Sequence, residues 1–295
     1  MALPLRQTRR ALKEKLPFVR RREYEILASK YDGLIVDLGW QAPLACEAKI
    51  DVIKAATAPL DGDVCFFVTH ASATALKPNV IHHVECLLAQ NIKVVLIVNT
   101  DLPFASICVD EKLAVQLDGI FIRENLGFDF AAWAHAYTLA PPTELWTRLL
   151  LINDSMIGPL NEGDFSRTIA RLRESSADMV GLVENTTPLP HLQSFFLAFS
   201  QTALIHPKFK HWMANVRCLK EKIHVIDVYE TRLTQMMTNA GLRAEVLFAS
   251  LGKGDDTIVQ WENLIDVGFP YVKASVAKAF PDHPKLAFSA NDMPS

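Results

Sequence analysis

The polar triplet Asn153-Asp154-Ser155 directly follows the aliphatic run Leu149–Ile152. Such a run, ending abruptly in amide and acid side chains, is typical of a buried parallel strand that delivers them to the ligand-binding edge of an open α/β sheet. The carboxylate of Asp154 could there hold a divalent cation, Mg²⁺ or Mn²⁺, or a phosphate-bearing substrate. The alternative is a turn in which the three side chains cap the next element.

A second polar motif combines Arg123 with the segment Asn125-x-Gly127-x-Asp129. Glycine at position 127 permits a positive φ and a close approach of the backbone to a ligand. A guanidinium at the end of a strand, as expected for Arg123, suits a diphosphate. For Asp129 the alternative is that its side chain caps the helix that follows.

Two further predicted strands end in polar residues at the same sheet edge. Thr69 and His70 end the first of them, and Asn99, Thr100 and Asp101 follow the second. These side chains could contact a base and a ribose, or they could simply begin turns. The sequence favours neither interpretation over the other.

Two glutamates are candidate general bases. Glu230 stands in the first turn of a predicted helix, where an acid also suits the helix macrodipole, and Glu184 follows a predicted strand. A carboxylate removes a hydroxyl proton efficiently when partial burial raises its pKa towards the working pH. His191 and Gln193 are polar residues on an otherwise apolar segment, and they could line an acceptor pocket or satisfy the edge of the core.

The elements that position these residues alternate between strands and helices. Continuous Val, Ile and Leu character in each strand predicts a mostly parallel central sheet with helices on both faces, an α/β, Rossmann-like architecture. The predicted strands of this part are Val64–Thr69, Lys93–Val98, Gly119–Arg123 and Arg148–Ile152, and the predicted helices are Asn79–Gln90, Asp110–Leu117 and Asp129–Ala140.

Other segments carry weaker patterns. We expect a strand at Leu34–Leu38, a helix through Ala45–Ala58, and only turns after residue 250, with Lys253–Asp256 exposed. After Asn153 the predicted strands are Val180–Val183, His191–Phe199 and Glu245–Ala249, and the predicted helices are Phe165–Arg173, Phe209–Leu219 and Tyr229–Ala240.

Charge is distributed unevenly along the 295 residues. Residues 1–30 hold nine basic and three acidic residues, whereas the rest of the chain is acidic overall. We therefore divide the chain into a basic N-terminal extension, residues 1–60, and a main domain, residues 61–295. The extension could be a solvated tail or contact an anionic membrane surface. Nucleic acid is not expected as a partner, because the acidic body lacks interleaved basic and aromatic stripes.

Cysteine usage and hydropathy indicate the compartment. The five cysteines are widely spaced without a C-x-x-C pair, which is typical of a reduced compartment. No apolar run reaches the roughly 18–20 residues that span a bilayer, and the N-terminus lacks the apolar core of a signal peptide. We expect a cytoplasmic protein, peripheral to the inner face of the membrane if the extension binds lipid.

The motifs of P-loop ATPases, nucleophile-elbow hydrolases and dinucleotide-dependent dehydrogenases are missing from the sequence.

Taken in order, the motifs resemble the rhamnan-synthesis protein F family, glycosyltransferase-like proteins of bacterial surface-polysaccharide assembly. The resemblance covers about residues 60–280. The matching segments are Val68–His70, Val98–Asp101, Arg123–Trp133, Leu151–Ser155 with Gly158-Pro159, Gly181–Asn185, His191–Phe196, Val225-Ile226 with Tyr229-Glu230, and Gly268–Lys273.

This resemblance implies a GT-A-like fold and transfer of a sugar from a nucleoside diphosphate donor to a growing glycan or lipid-linked glycan, with rhamnose as the expected sugar. Asp154 lies where GT-A enzymes place a metal-binding acid, although their usual Asp-x-Asp is Asn-Asp-Ser here. Glu230 corresponds in order to the base of inverting enzymes. The strand-end and loop residues described above would bind the donor, and His191 and Gln193 the acceptor.

Two rival functions fit parts of the same pattern. A non-catalytic protein that binds sugar nucleotides or glycans would explain the altered Asn-Asp-Ser motif. A sugar-nucleotide pyrophosphorylase would need a Gly-rich, Arg-containing loop after the first strand, and the segment His70–Thr74 contains neither residue type.

Overall fold

The computed structural model describes residues 42–56, 60–140, 143–250, 252 and 254–286. The basic segment and the strand predicted at Leu34–Leu38 lie outside the described residues.

The predicted central sheet is present and is the framework of the fold. The strands in chain order are β1 (Ile50–Lys54), β2 (Gly62–Ala71), β3 (Lys93–Thr100), β4 (Gly119–Glu124), β5 (Trp146–Asn153), β6 (Met156–Ile157), β7 (Met179–Asn185), β8 (His191–Leu192), β9 (Phe196–Ser200), β10 (Ala244–Phe248) and β11 (Val272–Lys273). The large sheet has the order β1-β4-β3-β2-β5-β9-β7-β10, with β8 paired to β7, and β6 pairs with β11 in a separate ribbon.

Strand direction determines which residues meet. The pairs β3–β4, β2–β3, β2–β5 and β7–β10 are parallel, whereas β9 is antiparallel to both β5 and β7. Six strands therefore run in one direction and end at one edge of the sheet. Register places Val68 beside Asn153 and Asn99 beside Arg123, so the polar strand ends predicted from the sequence lie together.

Helices connect and cover the strands, and the α/β class with a mostly parallel sheet flanked by helices is confirmed. A π-helical turn, Ile226–Glu230, directly precedes the helix Thr231–Asn239. The helices are α1 (Pro78–Ala89), α2 (Glu111–Gln116), α3 (Phe128–Leu139), α4 (Glu162–Glu174), α5 (Gln201–Ile205), α6 (Pro207–Ala214), α7 (Lys222–Val225), α8 (Thr231–Asn239), α9 (Asp256–Val259), α10 (Trp261–Asp266) and α11 (Ala274–Ala279).

The apolar core has two layers because successive residues of a strand point to opposite faces of the sheet. Phe66 of β2 belongs to one buried cluster with Trp133 of α3, and Phe67 belongs to the other with Phe165 of α4. The indole Nε1 of Trp133 also donates a hydrogen bond to the carbonyl oxygen of Phe66 over 3.1 Å. This bond fixes α3, whose first turn carries Asp129, against the central strand.

The helix predicted through Ala45–Ala58 is wrong for the residues that are described. A 3₁₀ turn occupies Ala45–Glu47, and β1 then pairs with β4 in antiparallel orientation. The free edge of β4 and the β-branched residues of β1 outweigh the helical spacing of the alanines. Part of the segment assigned to the N-terminal extension therefore belongs to the sheet.

Three later predictions also need correction. The strand predicted at His191–Phe199 is interrupted, and β8 and β9 flank three residues that turn towards the cleft. The helix predicted to reach Leu219 ends at Ala214, because the following backbone groups bond to Pro43 and Ala45 instead. The C-terminal part is not only turns, since it carries α9, α10 and α11, and Asp256 is fully buried.

None of the helices in the described ranges is long and apolar enough to cross a bilayer.

Candidate functional site

A cleft of about 580 Å³ opens at the sheet edge where the parallel strands end. Ten of the fifteen residues that the sequence analysis assigns to a site line this cleft. They are His70, Asn99, Asn125, Asp129, Asn153, Asp154, Ser155, His191, Gln193 and Glu230.

Asp154 lies at the centre of a three-way contact. Its Oδ2 accepts hydrogen bonds from Thr69 Oγ1 over 2.6 Å and from Lys77 Nζ over 2.8 Å. Thr69 does not line the cleft itself, but it fixes Asp154 from β2. The ends of β2 and β5 and the start of α1 therefore meet at one carboxylate.

The amide nitrogen and the amide oxygen of Asn153 both form hydrogen bonds within the protein. Its Nδ2 donates to Asp129 Oδ2 over 2.7 Å, and its Oδ1 accepts from the Ser155 backbone N–H over 3.1 Å. Burial, followed by the negative charge of Glu230, raises the pKa of Asp129 to about 6, against the opposing hydrogen bonds from Asn153 and Phe130. Asp129 therefore gains and loses its proton close to neutral pH.

Glu230 lines the same cleft. It is the last residue of the π-helical turn, a geometry often found at functional sites. Its Oε1 accepts a hydrogen bond from the Ser194 backbone N–H over 3.4 Å and lies 4.0 Å from His191 Nε2. Its side chain is only 20% exposed, so the carboxylate is held in a narrow range of orientations.

A third group of charges lines the cleft. Gln193 Nε2 donates to Asp255 Oδ1 over 2.9 Å, and Lys273 Nζ donates to Asp255 Oδ2 over 2.6 Å. Burial raises the pKa of Asp255, but hydrogen bonds from Lys273, Thr257 and Gln193 outweigh it and lower the pKa below its usual value. Asp255 is therefore ionised at neutral pH and fixes both Gln193 and Lys273.

Asn99 carries a polar atom that has no partner within the described residues. The side chain is 2% exposed, its Nδ2 donates to the Phe128 carbonyl over 3.3 Å, and its Oδ1 accepts no hydrogen bond. A buried carbonyl oxygen on the wall of a cleft is a natural acceptor for an N–H or O–H group of a ligand. Phe128 beside it has φ of 56°, an unfavourable conformation for a bulky residue and one that clusters at binding sites.

Arg123, expected to contact a diphosphate, does not reach the cleft. It is fully buried, and its guanidinium donates to the carbonyl oxygens of Glu124, Leu126 and Ala45 over 2.9, 2.7 and 3.3 Å. Burial lowers its pKa, although Cys218 and Glu124 partly oppose this. Arg123 therefore shapes the loop that leads to Gly127 from inside the protein.

Three other predicted site residues also lie outside the cleft lining. Asp101 has a side chain that is 74% exposed, and its Oδ2 holds two rim residues, His70 at 3.4 Å and Asn125 at 3.2 Å. Gly127 precedes α3 with φ of 74°. Glu184 is half-buried on β7, opposite Leu192 of β8.

Four charged residues in or beside the cleft, and the strained Phe128, are absent from the site residues predicted from the sequence. The sequence predicts an exposed turn at Asp255. Lys273 belongs to a segment that resembles the family, but the sequence predicts no role for it. Lys77 lies directly before α1, and Lys222 begins the short helix α7. Neither residue belongs to a sequence pattern that predicts a site. The missed residues are Lys77, Phe128, Lys222, Asp255 and Lys273.

The residues around Asp154 do not fit a resident divalent cation well. Mg²⁺ and Mn²⁺ favour several oxygen ligands around one centre. Oδ2 of Asp154 is already taken by a hydroxyl and an ammonium group. Across the described ranges, no group of three or more His, Cys, Asp or Glu side chains is arranged to hold a metal ion.

Curated proteins of low identity match part of the chain. Virulence protein VirA of Vibrio anguillarum (strain ATCC 68554 / 775) is 27% identical over 181 residues, which cover 59% of this chain and 56% of VirA. Uncharacterized protein y4gN of Sinorhizobium fredii (strain NBRC 101917 / NGR234) is 28% identical over 140 residues, which cover 44% of this chain and 35% of y4gN. The matched part of the chain thus spans little more than half of VirA and about a third of y4gN.

A family model gives the wider match. The model for "Rhamnan synthesis protein F" covers residues 94–275, from the beginning of β3 into α11. This range is more than half of the chain and contains most of the cleft lining, including Asp129, Asp154, Glu230 and Lys273. The chain therefore belongs to the rhamnan synthesis protein F family.

Proposed function

We propose that this chain is a glycosyltransferase with a GT-A-like fold, which moves a sugar from a nucleoside diphosphate donor to a growing surface glycan. Membership of the rhamnan synthesis protein F family implies involvement in rhamnan or related polysaccharide synthesis. The observation that carries the finer proposal is that Glu230 and Asp154 line the same cleft. A candidate base and a charged group that share one cleft suit a displacement reaction between two substrates bound there.

The donor would occupy the wall formed by β2, β3 and β5. The unpaired carbonyl oxygen of Asn99 suits an N–H group of a pyrimidine base or a ribose hydroxyl. The strained turn at Gly127 and Phe128 brings backbone and an aromatic ring to the same wall. The diphosphate would then extend towards Asp154 and its cationic partner Lys77.

Glu230 would act as the general base. The acceptor hydroxyl oxygen attacks the anomeric carbon, and its proton passes to the Glu230 carboxylate and later to solvent. The bond from the anomeric carbon to the β-phosphate oxygen breaks, and its electron pair stays on the departing diphosphate. Attack and departure on opposite faces invert the anomeric centre.

His191 supports this assignment through its tautomer. Its Nδ1 lies 2.6 Å from the carbonyl oxygen of Leu189, which can only accept a hydrogen bond, so Nδ1 carries the proton. In the neutral ring Nε2 is then an acceptor, 4.0 Å from the Glu230 carboxylate. Two hydroxyl groups of a sugar acceptor could donate to these two acceptors, one to each.

The site would work at the cytoplasmic face of the membrane, where sugar nucleotides are available. The basic N-terminal segment would bring the cleft close to a lipid-linked acceptor by binding anionic lipid.

One observation favours the non-catalytic alternative, a sugar-nucleotide or glycan-binding protein. Both Asn153 and Asp154 are engaged by other side chains of the protein rather than directed only at the cleft. Binding of a donor without transfer or donor hydrolysis, across a panel of glycan acceptors, would favour this second function.

The test is calorimetric binding of a panel of nucleoside diphosphate sugars, followed by transfer and hydrolysis assays with each donor that binds. Wild-type protein and Asp154→Ala are compared with and without Mn²⁺. We expect selective binding of one donor, weakened in the variant, and transfer of that sugar with inversion. Failure of every donor to bind would overturn the sugar-nucleotide proposal and leave the fold assignment intact.

A further inference from the structure

Beside the cleft, an ammonium group contacts the carboxylate that the sequence predicts to hold a divalent cation. Lys77 Nζ lies 2.8 Å from Asp154 Oδ2, which also accepts the hydroxyl hydrogen bond of Thr69. The side chain of Asp154 is 16% exposed and that of Lys77 is 37% exposed. The Asp154 carboxylate is therefore largely shielded from solvent, whereas the Lys77 side chain remains accessible to a ligand.

The backbone of Lys77 is fixed by its position directly before α1. Its carbonyl oxygen accepts hydrogen bonds from the backbone N–H groups of Val80 and Ile81, and Pro78 begins the helix. The ammonium group is thus carried by an anchored residue and oriented by Asp154. It does not rely on a freely moving surface side chain.

The ammonium group of Lys77 has more N–H donors than its contact with Asp154 uses. An ammonium group offers three N–H donors, and among the described residues Asp154 is the one hydrogen-bond partner of Nζ. Lysine is a regular ligand of phosphate groups, where it acts as a compact positive charge. Two donors directed away from Asp154 are available for phosphate oxygens.

We propose that Lys77, oriented by Asp154, is the group that binds and neutralises the donor diphosphate, so that diphosphate binding needs no divalent cation. This inference rests on the proposed glycosyltransferase function and names the cation within the same site. When the bond between the anomeric carbon and the β-phosphate oxygen breaks, the electron pair adds one negative charge to that phosphate. Lys77 offsets this charge, and the proton of the attacking hydroxyl goes to Glu230.

Electrostatic repulsion would keep a divalent cation from binding to Asp154 next to the Lys77 ammonium group. A divalent ion bound to Asp154 would meet the Lys77 ammonium at close range, and like charges at such distances repel strongly. Asp154 pairs with the ammonium instead, and the described residues offer no cluster of three metal-binding side chains. The carboxylate is therefore a positioning residue for Lys77.

The experiment is titration calorimetry of dTDP, UDP and inorganic pyrophosphate into the full-length protein, once in EDTA and once in Mn²⁺. We compare wild type, Lys77→Gln, Lys77→Arg and the control Lys210→Gln, whose exposed lysine lies in the first turn of α6. Circular dichroism and the melting temperature report on folding. Electron paramagnetic resonance of Mn²⁺ reports directly on whether the protein–diphosphate complex holds the metal.

We expect at least one nucleoside diphosphate to bind wild type equally well in EDTA and in Mn²⁺. Lys77→Gln should lose about tenfold to a hundredfold in affinity, the usual effect of removing a hydrogen bond to a charged group. Lys77→Arg should retain part of the affinity because it keeps the charge, and Lys210→Gln should bind like wild type.

Two results overturn the inference in distinguishable ways. Binding that appears only with Mn²⁺, with protein-bound Mn²⁺ in the resonance spectrum and an unaffected Lys77→Gln, would remove the lysine proposal and leave the transferase proposal standing. No binding of any nucleoside diphosphate or donor sugar to folded wild type would remove both proposals together.

Discussion

Asn153 donates a hydrogen bond from Nδ2 to Oδ2 of Asp129 over 2.7 Å, and this bond joins the end of β5 to the first turn of α3. The contact explains why an amide stands where the sequence comparison expected the first acid of Asp-x-Asp. An aspartate at position 153 would place two carboxylates in direct contact, and they could not both ionise without strong repulsion. The amide of Asn153 therefore avoids the repulsion that a second carboxylate next to Asp129 would cause.

Asn153→Asp should make stability strongly dependent on pH. At pH 5 the two carboxyl groups can share a proton, whereas at pH 8 both ionise, and we expect a loss of roughly 1–3 kcal/mol from a buried polar group without its partner. Denaturant unfolding at both pH values measures the effect. Asn161→Asp is the control, because Asn161 caps α4 through a bond to the Asp164 N–H that aspartate also makes. Equal losses for the two variants would contradict the explanation.

Asp129 should itself give the protein a measurable pH dependence. Its pKa in the folded state is raised from 3.8 to about 6, so between these values the folded state binds more protons than the unfolded state. The free energy of unfolding should therefore fall as the pH rises from about 4 to about 6. A shift of this size corresponds to roughly 2–3 kcal/mol.

The check is the difference in unfolding free energy between wild type and Asp129→Asn, measured across that pH range. The difference should change by roughly 2–3 kcal/mol over the window and be constant above it. Glu230→Gln should shift the window downwards, because it removes the second cause of the raised pKa. A difference that does not vary with pH would show that Asp129 titrates normally.

Glu230→Gln should lower turnover at least about a hundredfold, the lower end of general-base effects, and leave donor binding nearly unchanged. The amide retains the shape of the side chain but cannot take the acceptor proton. Glu184→Gln is the matched control, because Glu184 lies on β7 outside the cleft lining. Near-normal turnover of the Glu230 variant, or an equal loss in the Glu184 variant, would contradict the assignment of Glu230 as the base.

Gly127→Ala should destabilise the protein for two separable reasons. Gly127 has φ of 74°, and a Cβ there would lie 2.6 Å from both the Cβ of Ala131 and the Cα of Cys218. Gly241 has φ of 89° with no atom within 4 Å of such a Cβ. Thermal unfolding should show a loss of about 1 kcal/mol for Gly241→Ala from conformation alone, and about 2–4 kcal/mol for Gly127→Ala. Equal losses would mean that the loop before α3 adapts freely.

Removal of residues 1–23 should abolish binding to vesicles that contain anionic lipid. The reason is the positive charge of this segment, so the binding of the full chain should also weaken as salt is raised. Vesicle flotation measures both effects, and neutral vesicles are the control. Binding unchanged by the deletion would refute membrane contact through this segment.

The sheet and its polar edge could be predicted because each depends on short stretches of sequence. Continuous aliphatic runs identify β2, β3, β4 and β5, and the rule that parallel strands end together brings Asn99 and Asn153 to one cleft. The ordered motifs also identified the family, and the family model confirms it. These inferences needed no knowledge of loop conformation.

The remaining parts of the site depend on long-range contacts that the sequence does not encode locally. Arg123 is at the expected strand end, but its guanidinium turns inwards to three carbonyl groups. Asp255 was predicted to be exposed, and it is held instead by Gln193 and Lys273 from two distant segments. Lys77 precedes a proline at the start of a helix, and only the folded chain brings it to Asp154.

Strand β9 runs against both of its neighbours and separates β5 from β7 in the sheet. The strands that carry Asn99 and Asp154 lie on one side of it, and β7, β8 and β10 lie on the other. Within the sheet, only this antiparallel strand joins the two sides. Under the proposed function, the donor side and the acceptor side of the cleft could diversify separately in evolution on one shared scaffold.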